Sequence, residues 1–551
     1  MASRRDELNA YSFARKRTNA AFLKPLPNGS IESAPKPLKA VVPSVVMGAL
    51  VCVGFGAYGI FKPVAPQGWD TVGVNVLVGD KSTTRYVVLQ TKDANGKTEK
   101  LLHPVLNLAS ARLLLDPTKF QVVKVKESEL DGKMTHGAAV GIPYAPDRLP
   151  DASGVDKPKT WAVCDRPGSG ENSKSQQAVF VLDGKDKQVI DDTRKGKLDF
   201  HQALYVEDPD GVKWLVDHNG FAFQMIADGG LAADQKAGVK HTDTEADRSL
   251  RRIIFGSQAE PQQVTAEFMN TLVKSPYPIS MPKVPNAGQT TTDSSVPAEA
   301  RKVGSILQTS DGVKYVVVQD GVEQVSNFIS NLLEQGTNAA AVNGGSSAAL
   351  KPVQVATGSV HPKPDATNHP ATFMGTIMGI TNPWPTETVT AANDFAHGSQ
   401  TGGLTSPTKD GVSCSVYKGT ATKYPGAEQL GFANGVPDMT TWVGKDYPAK
   451  IAAGSTSYVT PGSGLLYQQV DTNSQKSGSL FLVTDTGLRY SVPVNNDSAT
   501  SSGSDKQEIG QAQLRLGYKD AHPPLLLSAW SKLLSAGPSL DVHTASQPQA
   551  S

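Results

Sequence analysis

The run AVVPSVVMGALVCVGFGAYGIF, residues 40–61, holds 22 consecutive residues without a charge. At about 1.5 Å per helical residue it is long enough to cross a hydrocarbon layer of about 30 Å. A cleaved signal peptide is the alternative, but its apolar region spans only about 7–15 residues and ends at a small-residue site. Here 39 residues precede the run, and Ile60, Phe61 and Lys62 close it without such a site. The leader carries eight Lys or Arg against three acids, so a retained helix puts the N-terminus in the cytoplasm and about 490 residues outside. No second run of comparable length follows.

Within this run Ser44, Gly48, Cys52 and Gly56 recur every four residues and align on one helix face. Such a face lets a second helix approach closely, although glycine is also simply common in membrane helices. Ahead of it, Leu8, Tyr11, Phe13, Ala14, Ala21 and Phe22 alternate with Arg15, Lys16 and Arg17, which suggests a short amphipathic basic helix; a solvated leader that only sets topology is the plainer reading.

The 551 residues exceed the roughly 250–300 that one core can serve, so more than one packed unit is expected. Charged residues make up 19% of the chain, and 53 basic against 52 acidic side chains give no chain-wide field for phosphate, which excludes a general nucleic-acid binder. Of three cysteines, Cys164 and Cys414 fall in the exterior portion, where an oxidising compartment favours joining them; two unpaired buried thiols are the alternative. Two cysteines alone do not supply the four ligands of structural zinc.

An apolar run, a tight turn and a second apolar run recur four times. The copies are Arg85–Leu89 with Leu101–Val105, Leu204–Val206 with Trp214–Val216, Lys314–Val318 with Val322–Val325, and Leu480–Val483 with Leu488–Val492. Asn95-Gly96, Asp210-Gly211, Asp320-Gly321 and Asp485-Thr486-Gly487 supply the turns, since these residues admit the positive φ that tight hairpins need. Copies one and three continue alike, as Val105-x-Asn107-x-x-Ser110-x-x-Leu113 and Val325-x-Asn327-x-x-Ser330-x-x-Leu333. Copies two and four end alike, with Val264, Phe268 and Leu272 between Pro261 and Pro276, and Leu526, Trp530 and Leu534 between Pro523 and Pro538; the spacing suggests a helix in each.

The order of these matches points to one ancestral half present twice, with Cys164 and Cys414 at equivalent positions near a pseudo-two-fold axis. Hairpins common to any α+β protein are the competing explanation. The expected fold is therefore α+β: a single N-terminal transmembrane helix and a β-rich extracytoplasmic domain of four hairpin and helix repeats in a pseudo-two-fold duplication around a central domain. The expected segments are a leader 1–39, a transmembrane helix 40–61, a linker and repeat 1 at 62–138, central part a at 139–199, repeat 2 at 200–278, a linker 279–300, repeat 3 at 301–343, central part b at 344–474, and repeat 4 with a C-terminal helix and tail at 475–551. Residues 143–158, 275–296, 344–369 and 495–503 read as loops, and 370–470 as short strands with long turns.

Catalytic motifs are missing. The nearest approach to a phosphate loop, Gly168-x-x-x-x-Ser173-Lys174-Ser175, lacks the second glycine and leads into a strand-like run where a helix is required. The ten histidines show no H-E-x-x-H spacing, and no G-x-S-x-G elbow occurs. No metal and no cofactor is expected.

Tyr11-x-Phe13-x-Arg15-Lys16-Arg17, a single span, the run from His103 and Pro104 to Leu113, paired exterior cysteines and the closing segment Pro523–Asp541 together resemble the EccB family, the single-pass membrane component of actinobacterial type VII (ESX) secretion systems. The resemblance covers essentially the whole chain, and HPVLNLASARL is its most specific element. It implies four repeats around a central domain, an inter-half disulfide matching Cys164 and Cys414, a plasma-membrane location, and assembly with the FtsK/SpoIIIE-like ATPase, the polytopic subunit and further copies of itself. It also implies a mycosin protease as an exterior neighbour. ATP hydrolysis has been proposed in this family, and the failed phosphate-loop pattern argues against it here. The expected function is a non-catalytic scaffold; a membrane-anchored cell-wall-binding module or exterior hydrolase are its rivals.

Overall fold

The computed structural model describes residues 3–23, 38–61, 65–92, 97–168, 174–192, 195–227, 241–365, 368–376, 384–395, 411–423, 432–473, 475–494 and 510–549. Two compact units are distinguished: Met1–Asp70 with Val78–Thr83 and Val123–Met134, and Thr71–Leu77 with Thr84–Val122 and Thr135–Ser551.

In the first unit the leader forms a helix, Arg4–Leu23, but not a clean amphipathic one. At about 100° per residue Leu8, Tyr11 and Phe22 share a side, yet Arg15 falls among them and Phe13 projects opposite. A second helix, Leu38–Phe61, has 24 residues and contains Pro43. Its described side chains, residues 41–55, are exposed, and the Ser44 hydroxyl donates to the Val41 carbonyl at 2.9 Å. Ser44, Gly48 and Cys52 are exposed there, whereas the surroundings of Gly56 lie outside the described residues. Among the described residues no helix is long and apolar enough to cross a membrane. In the same unit the Glu127 carboxylate accepts the N–H groups of Lys81 and Ser82, both at 2.8 Å, and these bonds, led by that from Ser82, pull its pKa down to about 2.

The second unit is organised on a five-stranded sheet ordered Val436–Gly444, Val412–Thr422, Thr160–Arg166, Gln176–Leu182, Ser457–Val459. The region 370–470 thus contributes strands of 11 and 9 residues, longer than its glycine and threonine content suggests. Its β-branched and aromatic residues outweigh the turn formers once both faces are buried.

Two further sheets share one five-strand path, the first carrying in addition Thr390–Ala391 parallel to Gln202–Ala203. Gln202–Glu207, Lys213–Val216 and Phe221–Gln224 form an antiparallel meander, flanked in parallel by Gln262–Gln263 on one edge and Val273–Lys274 on the other. Leu465–Val470, Ser479–Val483 and Leu488–Ser491 are flanked likewise by Leu525–Leu527 and Ser535–Ala536. The stretches between bounding prolines are therefore not single helices. Each is a strap of strand, short helix (Ala266–Thr271 or Ser528–Ser531) and strand. Extended ends satisfy the backbone groups of both meander edges, which a continuous helix would leave unpaired. Val264, Phe268 and Leu272, like Leu526, Trp530 and Leu534, still point into one core. Leu465–Val470, which lies in the stretch expected as central part b, thus belongs to the same sheet as Ser479–Val483 and Leu488–Ser491.

In repeat 3, Ile306–Thr309 pairs antiparallel with Lys314–Val318 and parallel with Val353–Val355, so part of the expected 344–369 loop is a strand. The Val318↔Gly321 pair makes Gln319-Asp320 the turn and Gly321 a strand residue, one position from the expected place. Gly211 and Gly487 do sit in their turns at φ 82° and 78°. Repeat 1 pairs Arg85–Lys92 with Thr98–Pro104, and its Asn95-Gly96 turn lies outside the described residues.

The matched Asn and Ser positions fold differently in the two copies. Asn107 caps the helix Leu108–Leu114: its side-chain oxygen accepts the Ser110 N–H at 2.9 Å and the Ser110 hydroxyl at 2.7 Å, while its amide donates to the Ile142 carbonyl at 2.8 Å. Ser110 completes the clamp by accepting the Ile142 N–H at 2.8 Å. In repeat 3 the cap moves to Ser326; Asn327 instead donates to Glu387 at 2.7 Å and Ser330 to Glu334 at 2.5 Å. Asn107→Ala should cost about 2 kcal/mol and Asn327→Ala less than about 1 kcal/mol, because only the first removes a cap and strands buried partners. Chemical denaturation of the detergent-solubilised chain measures both, and equal losses would refute the distinction.

Candidate functional site

A disulfide and a buried polar cluster lie where the first and second halves of the second unit's chain pack together. Cys164 and Cys414 lie directly opposite each other on antiparallel neighbours, with Cα atoms 4.1 Å apart, and are disulfide-bonded. The bond closes 250 residues, for which the chain-entropy model gives an upper figure of about 5.5 kcal/mol, above the roughly 2–4 kcal/mol that such bonds typically contribute. It is buried among Ala162, Phe180, Val412 and Trp442 on one face of the central sheet. Period two sends Trp161 and Val163 to the opposite face, where they meet the meanders of repeats 2 and 4.

Asp165 follows on that second face and is fully buried. Its carboxylate accepts the Thr265 N–H at 2.6 Å and the Gln177 amide at 3.2 Å, and its carbonyl accepts the Gln262 amide at 3.0 Å. Burial pushes its pKa up to about 6, opposed by the bonds from Thr265 and Gln177. Gln262 accepts the Ser413 hydroxyl and the Asn393 amide, Asn393 exchanges two hydrogen bonds with the Tyr205 backbone, and Thr271 donates to Ser415 at 3.0 Å. Every one of these links except the contacts internal to residues 165–265 joins the first half of the chain to the second.

A second closure joins repeat 1 to the C-terminal region. Arg112 donates to the Leu516 carbonyl at 3.1 Å, and Arg515 to the carbonyls of Leu113 and Leu115 at 3.2 and 2.8 Å, so each arginine caps the end of the helix that carries the other. Gln549 then bonds Ala139 and Gly141. The underlying core joins Ala109, Leu113 and Ile142 to Leu466, Leu482, Tyr490 and Tyr518.

Of the residues singled out from sequence, the structure brings Cys164 and Cys414 together; His103, Pro104, Asn107 and Ser110 cluster in repeat 1, away from Asn327 and Ser330. His103 is buried, with Nδ1 2.7 Å from the Ala138 carbonyl and Nε2 3.2 Å from the Thr91 hydroxyl, and Pro104 ends its strand opposite Tyr86. Most of Gly168–Ser175 lies outside the described residues. His241, Asp243 and Asp247 place ligand-type atoms within 4.8 Å of one another. Arg251 and Lys213 already neutralise Asp243 at 2.5 and 3.2 Å, however, and Asp247 serves the capping box with Thr244, which makes this an ion-paired helix start in place of a metal centre. Sequence reading missed Asp165, although an acid in phase with Trp161 and Val163 signals a buried carboxyl. It also missed Arg112 and Arg515, whose pairing no spacing reveals.

The model of the family described as "Type VII secretion system ESX-1, transport TM domain B" matches residues 1–550. The chain belongs to the EccB family. The ESX-3 secretion system ATPase EccB3 of Mycobacterium tuberculosis H37Rv is 26% identical over 535 residues, covering 92% of this chain and 82% of that protein. The ESX-1 secretion system ATPase EccB1 of Mycolicibacterium smegmatis is 28% identical over 294 residues, so the match spans about half of each protein, 52% in both cases. Among solved structures, the EccB3 dimer from the ESX-3 core complex has a TM-score of 0.51 at 22% identity, covering 86% of this chain and 99% of that one. An intact ESX-5 inner membrane complex contains a chain with a TM-score of 0.50 at 20% identity, covering 100% and 96%. This EccB chain shares their mixed α+β, β-rich fold.

Replacing Cys164 and Cys414 together by Ala should lower the unfolding free energy by about 2–4 kcal/mol, read as a fall in the thermal midpoint that dithiothreitol reproduces in the parent chain. Asp165 holds its proton in the folded chain to about pH 6, whereas the unfolded carboxyl releases it near its ordinary value of 3.8. Its contribution to stability is therefore complete below about pH 4 and is lost as pH rises through about 6. Thermal midpoints of Asp165→Asn and the parent, compared between pH 4 and pH 7, should diverge through that window, the parent declining relative to the variant.

Proposed function

We propose that this chain is a non-catalytic structural subunit of a type VII (ESX) secretion membrane complex. It is tethered by residues 40–61 with its leader in the cytoplasm, and its large β-rich part forms an extracytoplasmic portion of the assembly. The family match over residues 1–550, running through the uncharged stretch, carries this reading. Helical backbone over Leu38–Phe61 supports the tether, and the basic leader supports its orientation. The FtsK/SpoIIIE-like ATPase, the polytopic subunit, other copies of this chain and an exterior mycosin protease are its partners.

The large portion is read as one half present twice around a pseudo-two-fold axis at the cysteine pair. Matching strand orders in repeats 2 and 4, the two straps, and the facing cysteines support this. Relatives are named ATPases, but the chain lacks a G-x-x-x-x-G-K-[ST] pattern, and the polar residues at the joint bond one another instead of lining a reactive cavity. The stripe Ser44, Gly48, Cys52 and Gly56 is assigned to close helix packing within the membrane.

Affinity capture of the full chain from native membranes should recover the other secretion subunits, and the purified chain should not turn over ATP. On intact cells a membrane-impermeant maleimide should label Tyr144→Cys but not Ser12→Cys. The reverse pattern, or recovery of the chain alone, would refute the assignment.

A further inference from the structure

The two straps meet the central sheet differently. In repeat 2 the strap strand Gln262–Gln263 turns alternate backbone groups away from its own sheet. There the Gln263 carbonyl accepts the Ser175 hydroxyl at 2.5 Å and the Thr265 N–H donates to Asp165 at 2.6 Å, so this edge is sealed by side chains. The matching positions in repeat 4 are Leu525 and Leu527. Gln468 donates to the Pro524 carbonyl at 2.9 Å in the parallel ladder, and alternation then directs the N–H and C=O of Leu525 and Leu527 outward. Neither the Leu525 carbonyl nor the Leu527 N–H meets a partner among the described residues.

These two residues instead line a cleft of about 270 Å³, walled by Tyr417, Pro437 and Trp530 and edged by the amide side chains of Asn434 and Asn473. The volume falls below the range of about 300–1,000 Å³ usual for small-molecule sites. What the edge lacks is one acceptor for the Leu527 N–H and one donor for the Leu525 carbonyl, the pair that Asp165 and Ser175 supply in repeat 2. A neighbouring backbone provides both at strand spacing, and the aromatic wall accommodates an apolar side chain beside it.

We infer that this cleft receives an extended, apolar strand from a different polypeptide of the membrane complex, added to the edge Leu525–Leu527. The described residues of a second copy of this chain are a poor donor. Outside the two N-terminal helices, the exposed large apolar side chains among the described residues are Val72, Leu106, Val122, Tyr144, Phe200 and Val494, and all but Val122 sit in turns or bends. The inference rests on the proposed membership of a secretion complex, and its test separates the two.

Hydrogen–deuterium exchange of the full chain, isolated in detergent and within the captured complex, reads the edge directly. The amides of Leu525 and Leu527 should exchange about tenfold or more slowly in the complex than in isolation, with Leu526, which faces its own sheet, protected in both. Leu527 has φ −63° and ψ 141°, so Leu527→Pro removes the outward N–H without backbone strain. This variant should lose the added protection of Leu525 while keeping that of Leu526, and Leu527→Ala should keep both. A chain that captures no complex refutes the function proposed above. A captured complex with unchanged exchange refutes the strand addition, and so does protection in the isolated chain, whether constant or rising with concentration, because it puts this chain's own polypeptide in the cleft.

Discussion

The pairing of Thr160–Arg166 with Val412–Thr422 is the constraint on which the second unit depends. Successive residues of each strand feed different cores: Trp161 and Val163 one, Ala162 and Cys164 the other. A slip of one residue would exchange the two sets, placing Asp165 against Phe180 and Trp442. The Cys164–Cys414 bond forbids that slip covalently. Register and crosslink therefore support each other, and the polar joint at Asp165, Gln262 and Ser413 forms only in the correct register.

From that sheet the cores propagate outward in two directions. Repeats 2 and 4 are buried on both faces, with Leu204 and Val206 turned to the central sheet and Ala203 and Tyr205 turned to repeat 3. In repeat 4, Leu465 and Tyr467 face inward while Leu466 joins the core shared with repeat 1. Repeats 2 and 3 are adjacent in sequence. Repeats 1 and 4 are not, and their contact is held by the reciprocal arginines and by Gln549. A connection that chain continuity supplies at one end is supplied by charge-assisted helix capping at the other.

Between the matched segments the apolar positions agree and the polar ones differ. Asn107 is a buried cap, while Asn327 is an ordinary helical residue bonded to Glu387. Gln263 and Thr265 are sealed by side chains, while the outward backbone groups of Leu525 and Leu527 border a cleft. Packing tolerates little change in a shared core, whereas a hydrogen bond can move to a neighbour such as Ser326 at small cost.

Sequence alone determined the uncharged run and its basic leader, the four hairpins, and the two cysteines available for pairing, because each rests on local spacing or composition. It could not distinguish a helix from a strand–helix–strand strap between prolines, since both put Val264, Phe268 and Leu272 on the same side. Partners that meet only in three dimensions were likewise invisible: Arg112 with Leu516, Asp165 with Thr265, Leu465–Val470 with its strap. Those depend on which surfaces the folded chain brings within hydrogen-bond reach, some 400 residues apart in the case of the arginines, and only the tertiary structure decides them.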